Sequence, residues 1–200
     1  MTIVPLFPAA VHYIDQENFG EYEDQIIEFV YEQENKNPMG EFFSNEGGWQ
    51  SSPVYDKSDN VVRKYIQKVL CKYFEKSGYF KYFELRYNGI WLNINRNGDY
   101  NRMHNHPNSD WSGVLWIKVP ENGGGSIHFE APHSFEEYKL LKTYREEVKE
   151  GFNLYDCYRY PPKVGNMLIF PSYLLHEVLP NKAREDRISA SFNIKIDFVP

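Results

Sequence analysis

The sequence predicts an α+β chain, with helices in the first 80 residues and a β-sandwich or barrel over the rest. Three observations carry this. Apolar residues recur twice at helical spacing before residue 80, the period changes to two from Tyr82 onward, and Gly- and Pro-rich turns punctuate the second half. At roughly 100–200 residues per domain, the 200 residues make a single domain, 1–200.

The elements follow in order. Asn18 precedes Glu21 by three residues, the spacing of a capping box, and Phe19, Tyr22, Ile26, Phe29 and Val30 then mark a helix to about Glu34. A polar loop runs from Asn35 to Ser58, centred on Gly47-Gly48-Trp49-Gln50-Ser51. Val61, Val62, Tyr65, Ile66, Val69, Leu70, Tyr73 and Phe74 form one wide apolar stripe, with Arg63, Lys64, Lys68 and Lys72 largely off it. That second helix stops near Ser77-Gly78.

In the strand half, Ile90, Leu92 and Ile94 alternate with Trp91, Asn93 and Asn95. Val114 to Val119 and Met167 to Phe170 are short buried runs. Ile127 and Phe129 alternate with Ser126, His128 and Glu130. The last strand alternates Ile188, Ala190, Phe192, Ile194, Ile196 and Phe198 with Ser189, Ser191, Asn193, Lys195 and Asp197. Residues 132–160 are charged and aperiodic, and read as an insertion or lid with a short helix at Ser134–Leu141. The division is therefore a helical part, 1–80, and a β core, 81–200.

Composition narrows the function. Lys plus Arg is 22 and Asp plus Glu is 28, a net charge of −6, which argues against sequence-independent nucleic-acid binding. No apolar run reaches the eighteen or so residues of a membrane span. Met1 to Val11 lacks the positive charge of a signal peptide and is broken by two prolines. Cys71 and Cys157 form no CxxC, which suits a reduced, cytoplasmic setting. The 16 Tyr, 14 Phe and 4 Trp suit a β-rich core, a ligand pocket or a homodimer interface.

Chemistry concentrates in the histidines. His104 and His106 are two apart, so on a strand they share a face and can chelate one metal ion. His176, after a buried strand, is the candidate third ligand. Asp110 and the pair His128-Phe129-Glu130 offer alternative oxygen donors. Arg187, Ser189, Ser191 and Asn193 share the polar face of the last strand, where an Arg and a hydroxyl suit a carboxylate. Asn93 and Tyr100 are candidate pocket residues. Trp91, Trp111 and Trp116 suit either the substrate mouth or core packing.

His104-x-His106-Pro107, Ser112-Gly113-Val114, Phe170-Pro171-Ser172, Leu175-His176-x-Val178 and Arg187-Ile188-Ser189-x-Ser191-Phe192-Asn193 together resemble a branch of the Fe(II)/2-oxoglutarate-dependent dioxygenases found in bacteria and phages. The opening Leu6-Phe7-Pro8 and the Gly47-Gly48-Trp49-Gln50-Ser51 loop extend the likeness over nearly the whole chain. The resemblance implies a double-stranded β-helix (jelly-roll, cupin-like) core with the N-terminal helices packed on it. It implies Fe(II), 2-oxoglutarate as cosubstrate, dioxygen and ascorbate as a supporting reductant. It also implies His104, His106 and His176 as metal ligands and Arg187, Ser189, Asn93 and Tyr100 as cosubstrate-binding residues. The activity implied is hydroxylation of a small-molecule or peptidyl substrate, prolyl-hydroxylase-like by analogy of fold alone. The superfamily carries a carboxylate where this chain has His106, so an imidazole there leaves the metal site one charge more positive. Three other readings stay open on the residues: a cupin-type three-His dioxygenase or isomerase, a non-catalytic jelly-roll binding module, and an oxygenase that has lost turnover.

Overall fold

The computed structural model describes residues 9–16, 18–54, 60–78, 83–132, 145–152 and 155–198. Among these residues, eleven strands form two antiparallel sheets, and two long helices lie against one of them. The strands are β1 (His12–Ile14), β2 (Asn45–Glu46), β3 (Trp49–Gln50), β4 (Phe83–Asn95), β5 (Tyr100–His104), β6 (Trp111–Lys118), β7 (Ile127–Glu130), β8 (Cys157–Tyr160), β9 (Met167–Pro171), β10 (His176–Val178) and β11 (Arg187–Phe198). The helices are α1 (Glu23–Lys36) and α2 (Val61–Ser77), with a shorter one at Glu146–Phe152. The larger sheet runs β1-β9-β6-β11-β4-β3 and the smaller β2-β5-β10-β7-β8.

Local chemistry sets the helix ends. Asn60 accepts from the amides of Val62 and Arg63, and so satisfies two of the donors that α2 leaves unpaired at its start. Gly78, at φ 73°, closes α2 in the left-handed conformation that glycine tolerates best. The apolar stripe of α2 buries Val62, Tyr65, Ile66, Val69, Leu70 and Phe74. These side chains meet Ile26 and Val30 of α1 and the helix-side face of the larger sheet, including Ile90, Leu92, Ile94, Leu115, Ile188, Ala190 and Phe192. Each fully buried side chain of this size contributes about 1.5–3 kcal/mol. A second apolar cluster lies between the sheets, where Val114, Trp116, Leu168 and Phe170 meet Ile127 and Phe129.

Three expectations change. The Asn18–Glu21 capping box does not form: Asn18 makes no side-chain cap bond. The chain instead makes one 3-10 turn at Phe19–Glu21, and α1 begins afterward at Glu23. The first helix also runs past Glu34 to Lys36. Residues 157–160, placed in an insertion, are strand β8, paired with β7 from Ile127↔Tyr160 to Glu130↔Cys157. The helix at Ser134–Leu141 and the Leu6-Phe7-Pro8 opening lie outside the described residues. Among the described residues no helix is long and apolar enough to cross a membrane.

Candidate active site

The smaller sheet brings the histidines together through pairing. His176 on β10 lies directly opposite His104 on β5, with ring centroids 4.3 Å apart. His106 stands beyond the end of β5, so a shared strand face does not place it. Its amide donates to the Ser172 carbonyl at 2.9 Å, and its own carbonyl accepts from Ser109 at 3.2 Å. Those bonds tie the loop to the turn that leads into His176. The His106 ring lies 5.0 Å from His104 and 5.3 Å from His176. One ligand nitrogen from each of the three rings falls within 4.8 Å of the others.

Hydrogen bonding fixes the tautomers of two rings. His104 Nδ1 meets the Arg102 carbonyl at 2.7 Å and His176 Nδ1 meets the Leu174 carbonyl at 2.9 Å. A carbonyl only accepts, so each Nδ1 carries the proton and each Nε2 keeps a lone pair for a metal. Burial pushes the His176 imidazole down to about 3, with His104 adding to the shift. Burial also pushes His106 down to about 4, again with His104 adding. His104 is lowered by burial against the opposing effect of its bond to Arg102. All three rings are therefore neutral at pH 7, the form that binds metals.

One cavity between the sheets is lined by these rings and by Asn93, Arg187 and Ser189. Arg187, at the start of β11, is 1% exposed. Its Nη1 donates to the carbonyls of Gly124 at 2.6 Å, Gly125 at 3.2 Å and Leu179 at 3.0 Å. Gly125, at φ 73°, holds this approach open, because a Cβ there would collide with the guanidinium and with the Leu179 carbonyl. Nη2 is buried with no partner. Burial pulls the guanidinium down to about 10, with Asp99 opposing the shift, so it stays charged at pH 7. A buried cation with one donor unanswered suits an anionic ligand. Asn93 donates to Ser191 Oγ at 3.1 Å and leaves its Oδ1 buried and unpaired. A half-turn of that amide would present a donor to the cavity instead.

The remaining candidates divide: Trp91 and Trp116 line the cavity, and the others do not. Tyr100 does not line the cavity: it is exposed on β5, and its neighbour Asn101 lines the wall instead. Asp110 is exposed, and its carboxylate accepts from the Ile196 amide at 2.8 Å. His128 Nδ1 meets Glu177 Oε1 at 2.9 Å, and Glu130 is exposed. Trp91 lies against His106, with centroids 5.6 Å apart, and Trp116 is buried in the cavity wall. Trp111 stacks on Phe74 at 5.0 Å and belongs to the helix-side packing. Ser44, Asn101, Phe170 and Val178 also line the cavity. Asn101 carries no sequence signal, since three positions from His104 is the wrong parity for a shared strand face, and it joins the wall through the irregular pairing of β5 with β10.

The sequence model of the family described as "Putative 2OG-Fe(II) oxygenase" matches residues 89–193. No curated protein sequence matches the chain. Among solved structures, the fold is similar to a Pseudomonas putida prolyl-4-hydroxylase, with TM-score 0.64, 12% identity and coverage of 94% of this chain and 92% of that one. It is also similar to a viral collagen prolyl hydroxylase of Paramecium bursaria Chlorella virus-1, solved with 2-oxoglutarate: TM-score 0.59, 17% identity, 92% and 94% covered. A third is HygX of Streptomyces hygroscopicus, solved with nickel and 2-oxoglutarate: TM-score 0.60, 12% identity, 94% and 83% covered.

Proposed function

Because the chain belongs to the 2OG-Fe(II) oxygenase family, whose members use Fe(II), 2-oxoglutarate and dioxygen, we propose that it is a hydroxylase built on a double-stranded β-helix, with the metal held by His104, His106 and His176. Arg187 anchors the far carboxylate of 2-oxoglutarate, assisted by Ser189 and Asn93. The observation that carries this reading is the presence, in one cavity, of three neutral imidazoles and a buried guanidinium nitrogen with no partner. The substrate is a small molecule or a peptide.

Bound Fe(II) would supply oxidising power from dioxygen, coupled to conversion of 2-oxoglutarate to succinate and CO2. The chain's own part is geometric and electrostatic. Carbonyl bonds to Nδ1 hold His104 and His176 with Nε2 free, and ligation at pH 7 displaces no proton from any of the three rings. With an imidazole at position 106 the ligand set is neutral, so the metal keeps its full charge toward an anionic cosubstrate. Arg187 spends Nη1 on three carbonyls, which fixes the plane in which Nη2 meets a carboxylate. Ser189 lies two residues along β11, on the same face. Phe170, Trp116, Val114, Ile127 and Val178 line the cavity with apolar surface and limit water there.

The test is anaerobic. Fe(II)-loaded protein given 2-oxoglutarate should develop the visible charge-transfer band of a chelated complex, and His176→Ala should abolish it. Bound iron without a band would return the chain to the cupin-type reading. No iron binding would make the histidines structural.

A further inference from the structure

A line of aromatic rings leaves the cavity wall beside His176 and ends in solvent. The His176 ring lies 4.8 Å from Phe170 and 5.9 Å from Phe129, centroid to centroid. Phe129 meets Tyr160 edge-on at 6.1 Å. Tyr160 meets Tyr158 at 4.7 Å, and Tyr158 meets Tyr155 at 4.9 Å. Tyr13 stacks on Tyr160 at 6.3 Å with 19° between the planes. Tyr158 is 41% exposed and Tyr13 46%, so the line reaches water. Packing between the sheets accounts for Phe129 and Phe170. Tyr160 packs against that cluster as well, but Tyr155 and Tyr158, two further phenols within six residues of it at the β8 edge of the smaller sheet, do not.

We propose that Tyr160, Tyr158 and Tyr155, reached through Phe129, are an outlet for oxidising equivalents formed at the metal centre when no substrate is bound, and that exposed Tyr158 is where a water-soluble enediol or thiol returns the electrons. This rests on the metal site proposed above. A phenylalanine ring is too hard to oxidise to hold the hole, so Phe129 serves as a bridge. Tyrosine gives up an electron readily when its phenolic proton can leave, and the outer rings border water. Burial, then Tyr158 and Tyr155, hold Tyr160 above the usual tyrosine range, so it enters the step as the neutral phenol.

The electrons balance. Dioxygen needs four electrons to reach the water level. Conversion of 2-oxoglutarate to succinate and CO2 supplies two and places one oxygen atom in succinate. A substrate C–H bond normally supplies the other two. Without it, each missing electron comes from a tyrosine: the electron moves inward, the phenolic O–H bond breaks, and its proton passes to water. Two electrons and two protons release the second oxygen atom as water. The reductant then gives each phenoxyl radical a hydrogen atom and restores the O–H bond.

The full chain, loaded with Fe(II), is mixed with 2-oxoglutarate and oxygen in the absence of substrate. Rapid freezing should trap a tyrosyl radical visible by EPR. Without reductant, peptide mapping should find oxidation or ring–ring coupling on Tyr155, Tyr158 or Tyr160, and excess ascorbate should suppress both. In Tyr160→Phe, which keeps the ring packing, succinate release in the first turnover should be unchanged. The tyrosyl signal should be lost, substrate-free inactivation should accelerate several-fold, and oxidation should move to Trp91, beside His106. Unchanged inactivation in Tyr160→Phe, or oxidation confined to Trp91 in the parent chain, overturns the outlet. Succinate without any tyrosine oxidation sinks the outlet alone. No succinate at all sinks the oxygenase reading, and the outlet with it.

Discussion

The larger sheet buries both of its faces, and the two have opposite chemistry. Toward α1 and α2, strands β4 and β11 turn Ile90, Leu92, Ile94, Ile188, Ala190 and Phe192, all at 0% exposure. Toward the cavity the same strands turn Trp91, Asn93, Asn95, Arg187, Ser189 and Ser191. The helix-side face needs no partner beyond packing. The cavity face holds Arg187 Nη2 and Asn93 Oδ1, two of the four buried side-chain polar atoms without a hydrogen-bond partner among the described residues. Each such atom costs about 1–3 kcal/mol. One face is therefore arranged for stability, and the other retains a cost that a ligand can remove.

The largest expected effect separates the two faces by stability. Phe192→Ala empties a fully buried site on the helix-side face and should cost about 3–5 kcal/mol. For a chain of this size that is about 2–4 °C in Tm for each kcal/mol. The fraction that remains folded should keep its affinity for 2-oxoglutarate. Urea unfolding read beside a cosubstrate titration checks both. An equal loss of cosubstrate affinity would mean that the faces are not independent.

These two faces were legible in the sequence because a strand alternates with period two. The run from Arg187 to Phe198 announced a polar and an apolar side before any pairing was known. Helix α2 was legible for the same kind of reason, at period 3.6. Pairing was not legible. His104 and His176 meet because β10 inserts between β5 and β7, a contact across 72 positions that no local pattern encodes. The spacing of His104 and His106 pointed to a shared site, yet His106 reaches it from a loop held by Ser172. Tyr100 shares its strand parity with His104 but does not reach the cavity, because the β5–β10 pairing is irregular between His176↔His104 and Val178↔Asn101 and brings Asn101 to the wall instead. Gly124 and Gly125 read as a turn; their carbonyls, which hold Arg187, carry no side-chain signal.

A smaller effect sharpens the cavity side. Arg187→Lys keeps the charge but replaces the planar fork with an ammonium on a flexible stem. The lysine cannot hold the three carbonyls and the ligand in one plane. The apparent requirement for 2-oxoglutarate should rise by the equivalent of about 1.5–3 kcal/mol, which is the worth of a charged hydrogen bond. Titration of the anaerobic charge-transfer band measures this directly. An unchanged requirement would remove Arg187 from the cosubstrate site and leave its buried Nη2 unexplained.

The smallest effect per step lies in the pH dependence of the metal-free protein. His106 and His176 have folded-state values of about 4 and about 3, and His104 is also lowered, all below the ordinary 6.5. Between pH 6.5 and 4 the unfolded chain therefore binds protons at these positions that the folded chain refuses. Stability must fall as the pH falls through that window, with a slope of up to about 1.4 kcal/mol per pH unit for each ring. On the helix side, His12, bonded to Tyr73 of α2 and lowered by burial, adds its own part to this slope, whereas Leu92 and Phe192 do not titrate. Replacing His176 with Asn should flatten the slope by about one proton, whereas Phe192→Ala should lower stability at every pH and leave the slope unchanged. Urea midpoints collected at several pH values, with a chelator present, decide the matter. A slope that persists in full without His176 would mean that the proton uptake belongs to other groups and that the three rings are not held neutral by burial.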